Sequence, residues 1–354
     1  MKNLLLVLLG LFVLGAGWYL IDGNNSTSSD GKSINGQGVE QENVNDSNKE
    51  GTVLKKISLI QAWFPTASQI GDYYAKFEFA EKNGIILEVT PGSDQLNSIQ
   101  LVQAGKFDIG TASAEKVMIA NEKGANLVII GVVNAESPTC FLAKKEKNIK
   151  TPQDFYNHKI GTLEGASTHL IYKALLKKTG VDETKLTEIE APFDLTSFIL
   201  SDEYDVRPAF CTDENLTLKD KGIEFTTIIP SDYGVNLLGV VYFAKQETLK
   251  NKSNDIQAFI NSVAQGRLSS FENKEQAVSY LKTIDSTINE KKEMEALKIG
   301  ENKYFNGESG IILFASPERF QDTANAAIDL GMIKSFNYSQ QVDLSFVNTF
   351  NALR

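Results

Sequence analysis

Residues 85 to 133 read IILEVTPGSDQLNSIQLVQAGKFDIGTASAEKVMIANEKGANLVIIGVV, and two structural periods alternate within them. The opening six residues form an apolar run of strand length, stopped by Pro91-Gly92. Residues 94 to 104 follow with helical spacing, and Gly105-Lys106-Phe107-Asp108-Ile109-Gly110 turns the chain into a second, short buried strand. A helix over 114 to 122 leads through Gly124 to an apolar strand over 127 to 133. Strands alternating with amphipathic helices are the pattern of an α/β domain with a mainly parallel sheet.

The same alternation extends outward on both sides. Upstream, residues 53 to 62 read as a first strand, and 68 to 83 as a helix stopped at Gly84. Downstream, a short strand over 139 to 143 closes the first set of units. Residues 144 to 150 are polar and lysine-rich, and Thr151-Pro152-Gln153-Asp154 caps a new helix before a strand at 159 to 162. A second lobe is expected to begin there. Helices over 167 to 178 and 194 to 200, with strands over 186 to 189, 206 to 211 and 225 to 229, would fill it. A strand over 236 to 244 reads as the return crossing. Beyond it the pattern is mostly helical, with one strand-like run at 310 to 315. The expected division is 54–143 for the first part of lobe one, 144–235 for lobe two, and 236–354 for the return and the C-terminal helices. Open α/β sheets bind ligands at the carboxyl ends of their strands, so the site is expected in a cleft between two sheets.

Composition narrows the function. Lys and Arg total 35 against 45 Asp and Glu, a net charge of −10, so no basic stripe for nucleic acid is expected. His158 and His169 are the only imidazoles, which leaves little for a His-rich metal site or His-dependent catalysis. Cys140 and Cys211 match no zinc pattern and can form at most one bridge, which their spacing does not decide. The balance favours binding over catalysis, with no cofactor and no metal.

At the N-terminus, residues 4 to 21 form an apolar run behind Lys2. It reads as a signal peptide cut after Gly15-Ala16-Gly17, or as an uncleaved anchor with Trp18 and Tyr19 at the membrane interface, the latter preferred. No cysteine lies in or just after it for lipid attachment. Residues 22 to 53 are polar and poor in large apolar side chains, the composition of a disordered linker. As a coil such a linker reaches roughly 30 Å from the bilayer. The domain map is thus completed by 1–21 as signal or anchor and 22–53 as linker.

Several phrases in the folded part resemble a known family. Trp63-Phe64-Pro65, Gly71, Tyr73-Tyr74-Ala75, residues 88 to 94 and Gly105 to Gly110 resemble the opening of type 2 periplasmic substrate-binding proteins of ABC importers. The branch is that of thiamine-pyrimidine precursors and, more distantly, alkanesulfonates, taurine and nitrate. Ser231-Asp232-Tyr233-Gly234-Val235 is similar to a second block of that branch. Asp205 and the segment 210 to 214 look like its lobe-two segment, where an aromatic and a glutamate four apart face the ligand. The resemblance spans about residues 55 to 290. It implies a two-lobed type 2 fold with the ligand between lobes, an extracytoplasmic location, a small-molecule ligand and an ABC permease as partner. The pyrimidine synthases of the same branch depend on a histidine and a cysteine cluster. Here Lys116 stands about where that histidine falls, and no cysteine follows Cys211, so an enzyme is not expected.

The candidate ligand-binding residues follow from the strand ends. Trp63 stands two residues before Pro65 and suits stacking on a planar heterocycle, or plugs the lobe core. Phe64 has the same two readings, with packing favoured. Thr111 and Ser113 precede a helix, where small hydroxyls and free N–H groups can hold polar ligand atoms. Glu164, Ser167 and Thr168 form the equivalent element of lobe two, with an ordinary N-cap as the alternative. Glu164 without a neighbouring arginine disfavours a strongly anionic ligand. Phe210 carries the aromatic of the lobe-two segment. Glu214, read as a strand end, would meet an amino group or protonated ring nitrogen, or would be a solvated loop charge. Tyr233 would offer a ring and a hydroxyl. The favoured ligand is a planar heterocycle of the thiamine-pyrimidine type. Taurine, a sulfonate or nitrate is the alternative, and a membrane-anchored sensor is a third reading.

Overall fold

The computed structural model describes residues 54–93, 95–192 and 194–354. The expected anchor and linker lie outside the described residues. Among the described residues no helix is long and apolar enough to cross a membrane.

The first stretch alternates as expected: β1 (Lys55–Ile60), α1 (Ile70–Glu78), β2 (Ile85–Thr90), α2 (Ser98–Gln103), β3 (Ile109–Ser113), α3 (Ala114–Glu122) and β4 (Leu127–Val132). The second stretch comprises β5 (Thr139–Lys144), β6 (Lys159–Thr162), α4 (Ser167–Thr179), β7 (Thr187–Glu190), α5 (Thr196–Leu200), β8 (Val206–Phe210), α6 (Glu214–Asp220) and β9 (Phe225–Ile228). The chain then returns through β10 (Val240–Lys245) into α7 (Gln246–Asn251), α8 (Ser253–Glu272), α9 (Lys274–Ile284) and α10 (Glu290–Lys303). It ends in α11 (Pro317–Asp329), α12 (Tyr338–Gln341) and α13 (Ser345–Ala352).

Two five-stranded sheets result. The first has the order β2-β1-β3-β10-β4, and the second β7-β6-β8-β5-β9. β1 is parallel to β2 and β3, while β10 runs antiparallel to β3 and β4. In the second sheet β6 is parallel to β7 and β8, and β5 is antiparallel to β8 and β9. All six residues of β4 are buried, as a run without alternation requires of a strand covered on both faces. On the first sheet, α1 crosses α8 where Gly71 meets Gly266. A Cβ on Gly266 would lie 2.3 Å from the Gly71 carbonyl oxygen, so the close approach of the two backbones requires glycine there.

Three expectations are corrected. The strand at 139–144 does not close the first sheet; it pairs with β8 and β9 in the middle of the second. The chain crosses before this run, at residues 133–138, and the lysine-rich stretch after it is a turn on the second lobe. An apolar strand carries no mark of which sheet will bury it. Residues 310–315 form no strand: Leu313 adopts φ 59°, and its carbonyl accepts the Val132 N–H at 2.8 Å. Ile312 and Leu313 are buried there all the same, so the run fills core as a loop at the end of β4. Finally, Glu214 does not end a strand; it is the first residue of α6.

Cys140 and Cys211 are joined as a disulfide, with Cα atoms 5.7 Å apart. Cys140 on β5 faces Ala209 on β8, which brings Cys211 within reach two residues on.

Candidate functional site

Two segments cross between the sheets, 133–138 and 229–239, and they are bonded to each other. The Ser137 N–H donates to the Leu237 carbonyl at 2.9 Å. Gly239 N–H donates to the Asn134 carbonyl, and Asn134 N–H to that of Val240, both at 3.0 Å. Gly239 has no room for a side chain, since a Cβ there would sit 2.8 Å from the Cβ of Asn134. Above this paired floor lies a cavity of about 740 Å³, walled by strand ends and helix starts of both sheets.

Of the ten residues expected at the site, six line the cavity: Trp63, Ser113, Ser167, Thr168, Phe210 and Glu214. Trp63 follows β1, and its carbonyl accepts the Gly92 N–H at 2.9 Å. A Cβ on Gly92 would lie 2.4 Å from the Trp63 nitrogen, so glycine is what allows the two loops to touch. The Trp63 ring meets Phe64 edge to face, with centroids 5.3 Å apart. Phe210 N–H donates to one carboxylate oxygen of Glu214 at 2.8 Å, which fixes the glutamate at the start of α6. Burial, followed by the charge of neighbouring Asp213, pushes the Glu214 carboxyl up to about 7.

The other four lie off the cavity. Phe64 is exposed in an adjoining groove beside residues of α6 and α10. Thr111 is buried, and its hydroxyl accepts the Ala62 N–H at 2.8 Å, so it holds the loop that carries Trp63. Glu164 is exposed in the turn before α4. Tyr233 is half-buried in the turn Pro230–Tyr233, packed against the main core.

The structure adds polar residues the sequence did not flag. Glu115 from the first lobe and Asn134 from the crossing 133–138 line the cavity and are 4% and 0% exposed. Burial pushes the Glu115 carboxyl up to about 7. The wall segment Ala67–Gln69 is gripped from behind. Buried Arg267 donates to the carbonyls of Ala67 and Ser68, and Glu293 of α10 accepts the Ala67 N–H at 2.7 Å. The next residue back along α10, Lys292, pairs with Asp213 of the second lobe at 2.6 Å. Among the described lining residues the walls thus hold three carboxylates, Glu115, Asp213 and Glu214, against the ammonium of Lys116, and no arginine. Such a site suits a ligand that donates hydrogen bonds better than an anion.

Two mixed sheets joined by two crossings, with a cavity between them, make up the two-lobed fold of periplasmic binding proteins. The chain belongs to the NMT1/THI5-like family, whose model matches residues 68–277. The periplasmic aliphatic sulphonate binding protein SsuA of Escherichia coli superposes with a TM-score of 0.68 at 17% identity, over 82% of this chain and 92% of its own. The desulfurization enzyme DSZB superposes with a TM-score of 0.60 at 11% identity, over 84% of this chain and all of its own. In sequence, the chain is 20% identical over 230 residues to the riboflavin-binding protein RibY of Chloroflexus aurantiacus. That match takes in 63% of this chain and 65% of the relative. The resemblance to substrate-binding proteins of ABC importers, and the two-lobed α/β fold it implied, are both borne out.

Proposed function

We propose that the protein is an extracytoplasmic solute-binding protein that closes its two lobes on a small planar heterocycle and delivers it to an ABC permease. The observation that carries this reading is the cavity itself: one aromatic from each lobe, Trp63 and Phe210, on walls that are rich in carboxylate and free of arginine among the described residues. A ligand touching both lobes stabilises the closed state alone, which is how binding would drive closure. Aromatic faces suit a flat ring, and Glu214 suits a ring amino group.

A thiamine-type aminopyrimidine is the favoured ligand. A flavin is the second reading, supported by the riboflavin-binding relative and by a volume of about 740 Å³, within the range of sites for drug-sized molecules. Sulfonate, taurine and nitrate are disfavoured by the wall charges. An exported location fits the disulfide, since such bonds persist in oxidising compartments. The apolar run at 4–21 would serve as leader or anchor.

A thermal-shift screen against an aminopyrimidine, riboflavin, taurine, an alkanesulfonate and nitrate tests the reading, because a ligand of the native state raises Tm. A heterocycle is expected to give the largest shift. Trp63→Ala and Glu214→Gln are each expected to weaken its binding at least tenfold, about 1.4 kcal/mol. Affinities within twofold in both variants would remove these residues from the site.

A further inference from the structure

Roughly nine in ten buried polar groups in native proteins find a hydrogen-bond partner, so orphans that gather on one cavity call for an explanation. Among the described residues, three buried atoms without a partner belong to residues lining this cavity: Glu115 Oε1, Asn134 Nδ2 and Thr168 Oγ1. All three residues are more than nine-tenths buried. We propose that Glu115 and Asn134, with Thr168 on the second lobe's wall of the same cavity, read a ligand edge on which a hydrogen-bond donor lies next to an acceptor, as in a cyclic amide, an imide or an amidine.

The chemistry of the edge follows from what each group already does. The Asn134 side-chain oxygen accepts from the Ser68 hydroxyl at 3.2 Å, and its backbone N–H and carbonyl are both spent on the opposite crossing. What remains is its amide NH₂, which can only donate, so the ligand must offer a carbonyl oxygen or a bare ring nitrogen. Once ionised, above about pH 7, Glu115 Oε1 can only accept, so the ligand must there offer an N–H. Gly239 ties the two backbone segments together. Its N–H bonds Asn134, and its carbonyl accepts the N–H of Ala114, the residue before Glu115, at 3.0 Å. The Thr168 hydroxyl can serve either role, so it completes the edge without choosing its polarity. A sulfonate or nitrate, with acceptors alone, leaves Glu115 unmet; an alkylammonium, with donors alone, leaves Asn134 unmet.

This inference rests on the heterocycle-binding reading and names the part of the heterocycle that is recognised. The test uses the full chain and calorimetric titration with riboflavin and with 4-amino-5-hydroxymethyl-2-methylpyrimidine. Each is compared with a derivative whose edge N–H groups are all replaced by N-methyl, the ring imide nitrogen of riboflavin and both hydrogens of the pyrimidine amine. Methylation is expected to weaken binding at least tenfold in the wild type and less than threefold in Glu115→Leu. Asn134→Asp, which turns the donor into an acceptor, is expected to lose at least thirtyfold. The methylated probes need no variant, so the answer does not depend on Asn134→Asp folding. If a heterocycle binds and Trp63→Ala weakens it, but methylation and Glu115→Leu each change affinity less than twofold, the edge assignment falls and the heterocycle reading stands. If neither heterocycle binds, both fall.

Discussion

The two sheets share one plan and are secured by different means. Each places its antiparallel strand fourth in the order, and in each that strand is the one that has just crossed from the other sheet: β10 in the first, β5 in the second. Around β10 the first lobe builds a fully buried polar cluster. The Tyr242 hydroxyl and the Gln61 amide both donate to Asp72, and Tyr73 donates to Gln61 at 2.6 Å. Around β5 the second lobe places the Cys140–Cys211 disulfide, while its edge strand β7 is mostly exposed. A lobe with thinner cover gains more from a covalent link, because the link restricts the unfolded chain and does not depend on buried area.

The largest effect that would sharpen this contrast is loss of the disulfide. Replacing both cysteines by alanine is expected to cost about 4 kcal/mol for a loop of this length. Hydrogen exchange should then quicken in β5, β8 and α6 while β1 to β3 hold. Equal quickening in both sheets would break the comparison. Next comes Glu115 in the first lobe, whose carboxyl is raised by burial from the usual 4.5 to about 7. A raised carboxyl favours the folded state below about pH 4.5, and that contribution is lost as pH rises through 7. Glu115→Gln is therefore expected to gain about 3 kcal/mol over the wild type at pH 8 and little at pH 4.5, read as the difference in Tm across pH. A gain that does not vary with pH would mean the carboxyl is not strained by burial. The smallest is Tyr242→Phe, which leaves an Asp72 oxygen unpaired and is expected to cost 1–3 kcal/mol by denaturant titration, with exchange quickened on the first sheet.

Much of this was legible in the chain. Strand and helix periods gave β2, α3 and β4 nearly to the residue and placed β1 and β3, because periodicity reports which face is buried. Sheet membership was not legible, since the run at β5 is equally apolar whichever lobe takes it. Leu313 looked like strand for the same reason, and only a left-handed backbone shows that it is a loop. Trp63 could be picked out because a strand end, an aromatic and a proline coincide. Nothing in the sequence singled out Glu115, an acidic residue in the first turn of a helix, or Asn134; the meaning of Asn134 lies in partners brought from 66 and 105 positions away, Ser68 and Gly239. The cysteine pairing was open for a like reason, as it depends on the register between β5 and β8.

The bonded crossings carry one more consequence, for the order of events. Asn134 sits on the stretch where the two crossings touch, while Trp63 and Phe210 ride on separate arms. When two arms swing about a pivot, points at the pivot hardly travel and points on the arms do. If the lobes close as proposed, a solute entering the open protein would find the floor already set and the aromatic walls still apart. Arrival would then be governed by the stationary contact and departure by the swinging ones, so substitutions on the floor should act on how often a solute is caught, and substitutions on the arms on how long it stays.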